Sequence, residues 1–169
     1  VSHLSSPTET DLLGVHHFRL ENGMDVYLMQ NDQEPRFYAE IAVRTGSRND
    51  PPTNTGLAHY LEHLLFKGTS SFGTLDYEAE KVHLDRIEEL YEEHFHAETA
   101  EERDAIYREI DAESQLAAQY AIPNELQRIY KTLGGSDLNA HTWRDETVYK
   151  VGLPANRLEQ WAMIESERF

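Results

Sequence analysis

The stretch His59-Tyr60-Leu61-Glu62-His63 determines how the rest of this sequence is interpreted. At about 100° per residue, a helix places His59, Glu62 and His63 in one narrow sector of its surface. The opposite side is apolar and carries Leu57, Ala58, Leu61, Leu64 and Leu65. This pattern predicts an amphipathic helix that buries its leucines in a core and turns its polar sector toward a cleft. We expect Asn54 or Thr55 to cap this helix, and Lys67 and Gly68 to end it.

The polar residue types of this helix suit a metal centre. Two neutral imidazoles one turn apart can bind the same Zn²⁺, and a catalytic zinc needs one more protein ligand and an open position for water. A neighbouring carboxylate can accept a proton from that water. His59 and His63 are therefore candidate zinc ligands, and Glu62 is the candidate catalytic base. The alternative interpretation is a solvated polar face with no metal role.

The order H-x-x-E-H is that of the inverzincins. Residues 56–69 resemble the zinc helix of the pitrilysin/insulinase metallopeptidases, and three further stretches resemble that family in the same order, namely 18–27, 42–48 and 138–149. The resemblance implies an α+β fold, with a mostly antiparallel sheet and helices packed on one face, as in the first half-domain of a pitrilysin-like enzyme. It also implies a zinc metalloendopeptidase that acts on extended peptides or unfolded proteins.

Local patterns predict the strands. Asn22-Gly23 is a strong hairpin signal between two alternating segments. A third strand has Phe37, Ala39, Ile41 and Val43 on one face, and two more are predicted at 138–142 and 147–151. Pro154 opens the last helix. Residues 1–13 are polar and aperiodic and predict a flexible N-terminal tail, so that residues 14–169 form the N-terminal portion of a metallopeptidase domain.

A helical insertion is predicted at about 78–133. Its first two helices have apolar stripes at helical spacing, and Thr99 with Glu102 forms a capping box between them. A third helix is expected from Pro123 to Gly134. The pair His94 and His96 lies near the tip of this helical hairpin, where solvated surface histidines are expected.

The family resemblance places the third zinc ligand, a glutamate, beyond Phe169. Glu165 and Glu167 are the nearest carboxylates, but they match the helix that precedes the ligand and are not assigned to zinc. We therefore expect a fragment that binds one Zn²⁺ weakly or not at all and is inactive alone. Its partner would be the remaining half-domain or a partner subunit of a clamshell.

Asn139 and Ala140 are the candidate substrate-binding residues. In the family, an extended peptide adds as a strand beside the corresponding segment. A local structural role remains the alternative for Asn139, and His141 is expected to be an ordinary strand side chain. Two other functions remain open for the whole chain: a non-catalytic peptide-binding or assembly subunit of the same fold, and a helical-hairpin interaction module.

Composition excludes some partners. The chain has 31 acidic and 15 basic residues, a formal net charge of −16. Nucleic acids and anionic membranes select basic surfaces, so neither is an expected partner. No apolar run is long enough to predict a membrane span. Cysteine is absent, so disulfides do not contribute.

Overall fold

A computed structural model describes residues 1–8 and 11–169, which form two compact units, Val1–Phe37 and Tyr38–Phe169. The first unit is an antiparallel sheet in the order β1-β2-β3, with β1 at Ser2–Ser5, β2 at Val15–Arg19 and β3 at Asp25–Met29. The turn between β2 and β3 contains Gly23 with φ of 88°. Since this left-handed conformation suits glycine, the hairpin forms where Asn22-Gly23 predicts it.

The N-terminal residues differ from the predicted flexible tail. Ser2–Ser5 pairs with β2, and the His3 ring stacks on Phe18 at 4.6 Å between centroids. The polar composition did not reveal this pairing, because the partner strand supplies both the backbone hydrogen bonds and the aromatic contact. Glu9 and Thr10, also in the predicted tail, lie outside the described residues.

The second unit contains most of β4, Arg36–Val43, together with β5, Ser136–Thr142, and β6, Thr147–Pro154. These strands form a sheet in the order β4-β6-β5, in which β5 and β6 are antiparallel. The central strand β6 is the most buried, and Val151 and Leu153 are at most 2% exposed. Along β4, half-buried residues alternate with exposed ones, as predicted. The α+β fold class is confirmed.

Five helices accompany this sheet in the described residues: α1 Leu57–Leu64, α2 Tyr77–His96, α3 Ala100–Ala117, α4 Glu125–Thr132 and α5 Leu158–Arg168. The helices α2 and α3 form the predicted hairpin, with Leu90 and Ile110 buried. The predicted capping box is present, because Thr99 accepts from the Glu102 N–H while Glu102 accepts from the Thr99 N–H. No described helix is both long and apolar enough to cross a membrane.

The start of α1 corrects the predicted cap. Gly56, with φ of 92°, occupies the cap position instead of Asn54 or Thr55. The carboxylate that serves the helix start comes from Asp50, which accepts the Gly56 N–H at 2.7 Å and the Ala58 N–H at 2.9 Å. The folded loop before α1 brings this side chain to the helix, so the nearest Asn or Thr in sequence is not needed.

Candidate metal centre

The two histidines of α1 lie side by side. Nε2 of His59 and Nε2 of His63 are 3.2 Å apart, and both residues are exposed. Two nitrogens bound tetrahedrally to one zinc, each at about 2.0–2.1 Å, would be about 3.3–3.4 Å apart. The pair therefore has the spacing of two ligands of one ion. Without a metal, the same spacing allows an N–H···N hydrogen bond when one Nε2 carries the proton.

Glu62 occupies a different environment on the same helix. It is 6% exposed, and its Oε2 accepts a hydrogen bond of 2.6 Å from the Thr142 hydroxyl at the end of β5. The Thr147 hydroxyl, whose oxygen lies 3.3 Å from that of Thr142, donates its single proton to the Thr45 carbonyl at 2.8 Å. Because a hydroxyl has only one proton to donate, the proton of Thr142 goes to Glu62. The strand thus fixes one carboxylate oxygen.

Tyr149 shares the buried region around this carboxylate. It is 6% exposed and lies on β6, paired across the sheet with Ala140. Burial raises the pKa of the Tyr149 hydroxyl, and the negative charge of Glu62 raises it further. Both effects disfavour a tyrosinate next to the carboxylate.

The predicted apolar anchoring of α1 is only partly right. Ala58 is buried, but Leu57, Leu61 and Leu64 are 37%, 52% and 40% exposed. The helix turns its Ala58 and Glu62 side inward, and α1 packs chiefly beside β5. The amphipathic pattern did not predict this orientation, because the hydrogen bond from Thr142 allows the acidic residue to be buried.

The candidate substrate residues lie on the strand that holds Glu62. Asn139 pairs with Lys150 and Ala140 pairs with Tyr149, both through β6. In the order β4-β6-β5, β5 is an edge strand. Asn139 is exposed and Ala140 is half-buried. His141 packs edge-on against Trp143, with 6.2 Å between ring centroids.

A cleft of about 770 Å³ opens beside His63. It is lined by the loop after α1, by the first turns of α2 and by the segment before α4, including Phe66, Phe72, Tyr77 and Ile122. His63 therefore borders a groove with apolar and polar walls.

No group of three histidine, cysteine, aspartate or glutamate side chains is placed to hold a metal within residues 1–8 and 11–169. Glu165 binds Arg168 and Tyr130, and Glu167 accepts a hydrogen bond from the Thr69 hydroxyl at 2.9 Å. Hydrogen bonds from Ser71 and Thr69 lower the pKa of the Glu167 carboxyl. These two carboxylates therefore have partners away from the histidine pair.

Comparison with known proteins shows which family this chain resembles. Residues 26–84 match the model of the insulinase family, peptidase family M16. Protease 3 of Escherichia coli K12 is 32% identical over 111 residues, which is 66% of this chain but 10% of that protein. The chain resembles the N-terminal part of an insulinase-family peptidase. It spans about a tenth of the length of the curated relatives of this name.

Solved structures show the same fold. The crystal structure of pitrilysin covers 99% of this chain with a TM-score of 0.57 and 21% identity, and the chain covers 12% of it. The first half of the periplasmic protease PqqL from Escherichia coli also covers 99%, with a TM-score of 0.58 and 20% identity, and the chain covers 26% of it. The insulinase-type fold of this N-terminal part is thus confirmed.

Two functional candidates in this site escaped the sequence patterns. The sequence indicates Thr142 only as part of a predicted strand, and its local pattern does not identify Asp50 as the cap of α1. A hydroxyl two residues after Ala140 on the same strand face is the one sequence signal that could have pointed to Thr142.

Proposed function

We propose that this chain supplies the first part of the active site of a zinc metalloendopeptidase. His59 and His63 would hold the metal, and Glu62 would act as general base. The observation that carries this proposal is the 3.2 Å separation of the two Nε2 atoms on the helix that also holds a buried, oriented carboxylate. The remaining ligand would come from outside the described residues, from the rest of the domain or a partner subunit.

In the proposed reaction, the metal would activate water and the protein would transfer the proton. When bound, zinc lowers the pKa of a water molecule and polarises a peptide carbonyl. Glu62 accepts the proton of the attacking water. Because Thr142 occupies Oε2, we assign the proton to Oε1. The carboxylate then carries this proton to the leaving amine.

The substrate would be an extended peptide or an unfolded protein. As the edge strand of its sheet, β5 offers backbone groups at Asn139 and Ala140 to an added strand. The carboxylate of Glu62 is held from Thr142, only two residues beyond Ala140 on the same strand. A peptide added there would pass close to the base.

Peptide hydrolysis tests this proposal. The chain should be expressed both alone and with its natural continuation, and assayed on an unstructured peptide with zinc present. We expect cleavage only by the longer protein, and Glu62→Gln should lower kcat about 10²–10⁴-fold. The matched control is Glu88→Gln, at an exposed glutamate of α2, which should keep full activity.

Three outcomes of this assay contradict parts of the proposal. If the longer protein still cleaves the peptide after Glu62→Gln, Glu62 is not the general base. An inert longer protein that still binds the peptide would favour the non-catalytic subunit. Strong hydrolysis by the chain alone, abolished by Glu62→Gln, would show that the fragment needs no further ligand.

A further inference from the structure

The C-terminal end of α1 is held by a buried charged network. The Arg168 side chain is 2% exposed, and its Nη1 donates to both oxygens of the Glu165 carboxylate at 2.7 Å. The hydroxyl of Tyr130, a residue 1% exposed on α4, also donates to this carboxylate. The network therefore joins α4 and α5 through one buried ion pair.

The same Arg168 guanidinium also contacts the C-terminal end of α1. Nε of Arg168 donates to the Leu65 carbonyl at 3.0 Å. Leu65 is the cap residue at the end of α1, two positions after His63, and its carbonyl is among those that a helix leaves without an internal partner. Arg168 thus satisfies the Leu65 carbonyl, whereas the His63 and Leu64 carbonyls accept the N–H groups of Phe66 and Lys67.

Aromatic rings fix the position of the guanidinium. Its central carbon lies 5.3 Å from the centre of the Phe66 ring and 5.6 Å from that of Tyr149. Tyr149 is the residue whose pKa responds to the charges of both Glu62 and Arg168. The cation is therefore packed between the end of α1 and the buried region that contains the base.

A buried ion pair of this kind is a weak source of net stability, because desolvation offsets much of its attraction. Its directional hydrogen bonds have a clearer effect. An eight-residue helix has few internal hydrogen bonds and frays readily at its ends. Fraying of the last turn would move His63 away from His59.

We propose that Arg168 is a positioning residue for the metal pair, that is, for the two histidines His59 and His63 that would bind zinc. By holding the Leu65 carbonyl, it keeps the last turn of α1 formed and the two Nε2 atoms at ligand spacing. Glu165 and Tyr130 act through Arg168 by orienting its guanidinium. This inference rests on the proposed function, since it assigns the histidine pair to a metal.

The experiment is a Zn²⁺ titration followed by NMR, on the chain alone and, because the remaining ligand would come from outside it, on the chain with its natural continuation. The ring Cε1–H resonances of His59 and His63, assigned with His59→Ala and His63→Ala, report binding at this site alone among the nine histidines. We expect Arg168→Met to weaken Zn²⁺ binding about tenfold, the lower end of the range for residues that orient ligands. Arg168→Lys should also weaken it, because an ammonium cannot reproduce the fixed fork of donors.

Two further measurements separate positioning from general stability. Amide exchange at Leu65 and Phe66 should accelerate in the Arg168 variants, as fraying requires. Leu90→Ala, in the core of the hairpin, should lower the Tm while leaving Zn²⁺ affinity within twofold of the parent chain. If Arg168→Met does not fold, Arg168→Lys and Glu165→Gln, which preserve side-chain volume, provide the same comparison.

The outcomes are distinguishable. Folded Arg168 variants with unchanged Zn²⁺ affinity would overturn the positioning role and leave the proposed function intact. Absence of Zn²⁺-induced shifts at His59 and His63 up to millimolar metal, both in the chain alone and in the chain with its natural continuation, would overturn the metal pair and with it this inference.

Discussion

At the scale of single residues, two acceptors in the candidate site are each held by one hydrogen-bond donor. Thr142 holds Glu62 at 2.6 Å, and Arg168 holds the backbone carbonyl of Leu65 at 3.0 Å. Both donors come from segments distant in sequence. When a buried acceptor loses its donor, the folded protein is destabilised by about 1–3 kcal/mol, so single substitutions can test each contact.

Thr142→Val removes only the hydroxyl that orients the base. We expect kcat of the longer protein to fall at least about tenfold with little change in KM, because the ground-state peptide contacts remain. Thr142→Ser should restore most of the activity, since serine offers the same donor. Equal activity of the valine and serine variants would show that the hydrogen bond does not matter to catalysis.

Asp25 in β3 should titrate unusually low. Hydrogen bonds from Arg19 and then His17 lower the pKa of its carboxyl to about 2 from 3.8. Because the folded-state pKa is depressed, the stabilisation is present above the unfolded value and is lost as pH falls toward 2. A carboxyl ¹³C titration should give this pKa, and Arg19→Gln should raise it. A pKa near 3.8 in the parent chain would contradict the ion pair.

At the scale of elements, short segments are held by neighbouring loops. The helix α1 starts on the Asp50 carboxylate, and the loop after β4 lies against the turn between β5 and β6. There the Ser47 N–H donates to the Trp143 carbonyl at 2.9 Å. A Cβ at Gly46 would lie 2.3 Å from that same carbonyl oxygen. These contacts help to fix the position of α1 beside β5.

Asp50→Ala should destabilise the chain by about 1 kcal/mol, the usual effect of losing an N-cap side chain. The helix start would then have two backbone N–H groups without their carboxylate partner. Asp50→Asn should retain part of the stability, because the amide oxygen can still accept. Urea unfolding of both variants measures this difference, and an alanine variant as stable as the parent would exclude the cap role.

Gly46→Ala should destabilise the chain by about 1–3 kcal/mol, because the added methyl group meets backbone atoms that cannot rotate away. Ser47→Ala, at the next position, changes a side chain and keeps the backbone contact. It is the matched control and should stay within about 0.5 kcal/mol of the parent in urea unfolding. Similar losses in both variants would contradict the steric explanation.

At the scale of the whole molecule, the helical hairpin is attached at a narrow base. Thr74 bridges Ala121, and the Leu75 N–H donates to the Tyr120 carbonyl at 2.8 Å, so the two ends of the hairpin meet. The hairpin has its own buried residues, among them Leu90 and Ile110. This arrangement supports the proposal that residues 78–133 contain an insertion.

Replacing residues 77–118 by a short Gly-Ser linker should therefore leave the histidine pair functional. The adjacent ends need only a short connection, and the loop-closure cost is correspondingly small. We expect Zn²⁺ affinity at His59 and His63 to stay within about twofold in the NMR titration. A folded deletion variant that no longer binds Zn²⁺ would show that the hairpin supports the metal pair.

Local patterns in the sequence were sufficient for much of this protein. The Asn22-Gly23 turn, the alternation along β4, the Thr99–Glu102 capping box and the H-x-x-E-H helix depend on residues a few positions apart. Chain geometry relates such neighbours directly, so spacing alone indicates which side chains meet. The family resemblance rests on residues 18–27, 42–48, 56–69 and 138–149, which include the Asn22-Gly23 turn and the H-x-x-E-H helix but not the capping box.

Only the tertiary structure decided which distant groups contact these local elements. Glu62 and Thr142 are 80 positions apart, Leu65 and Arg168 are 103 apart, and Ser2–Ser5 is a strand because β2 lies beside it. The inward side of α1 also depends on a distant donor, because a carboxylate is buried only where the fold satisfies it. Periodicity reports how neighbours share a face, but it carries no information about the partner that covers that face.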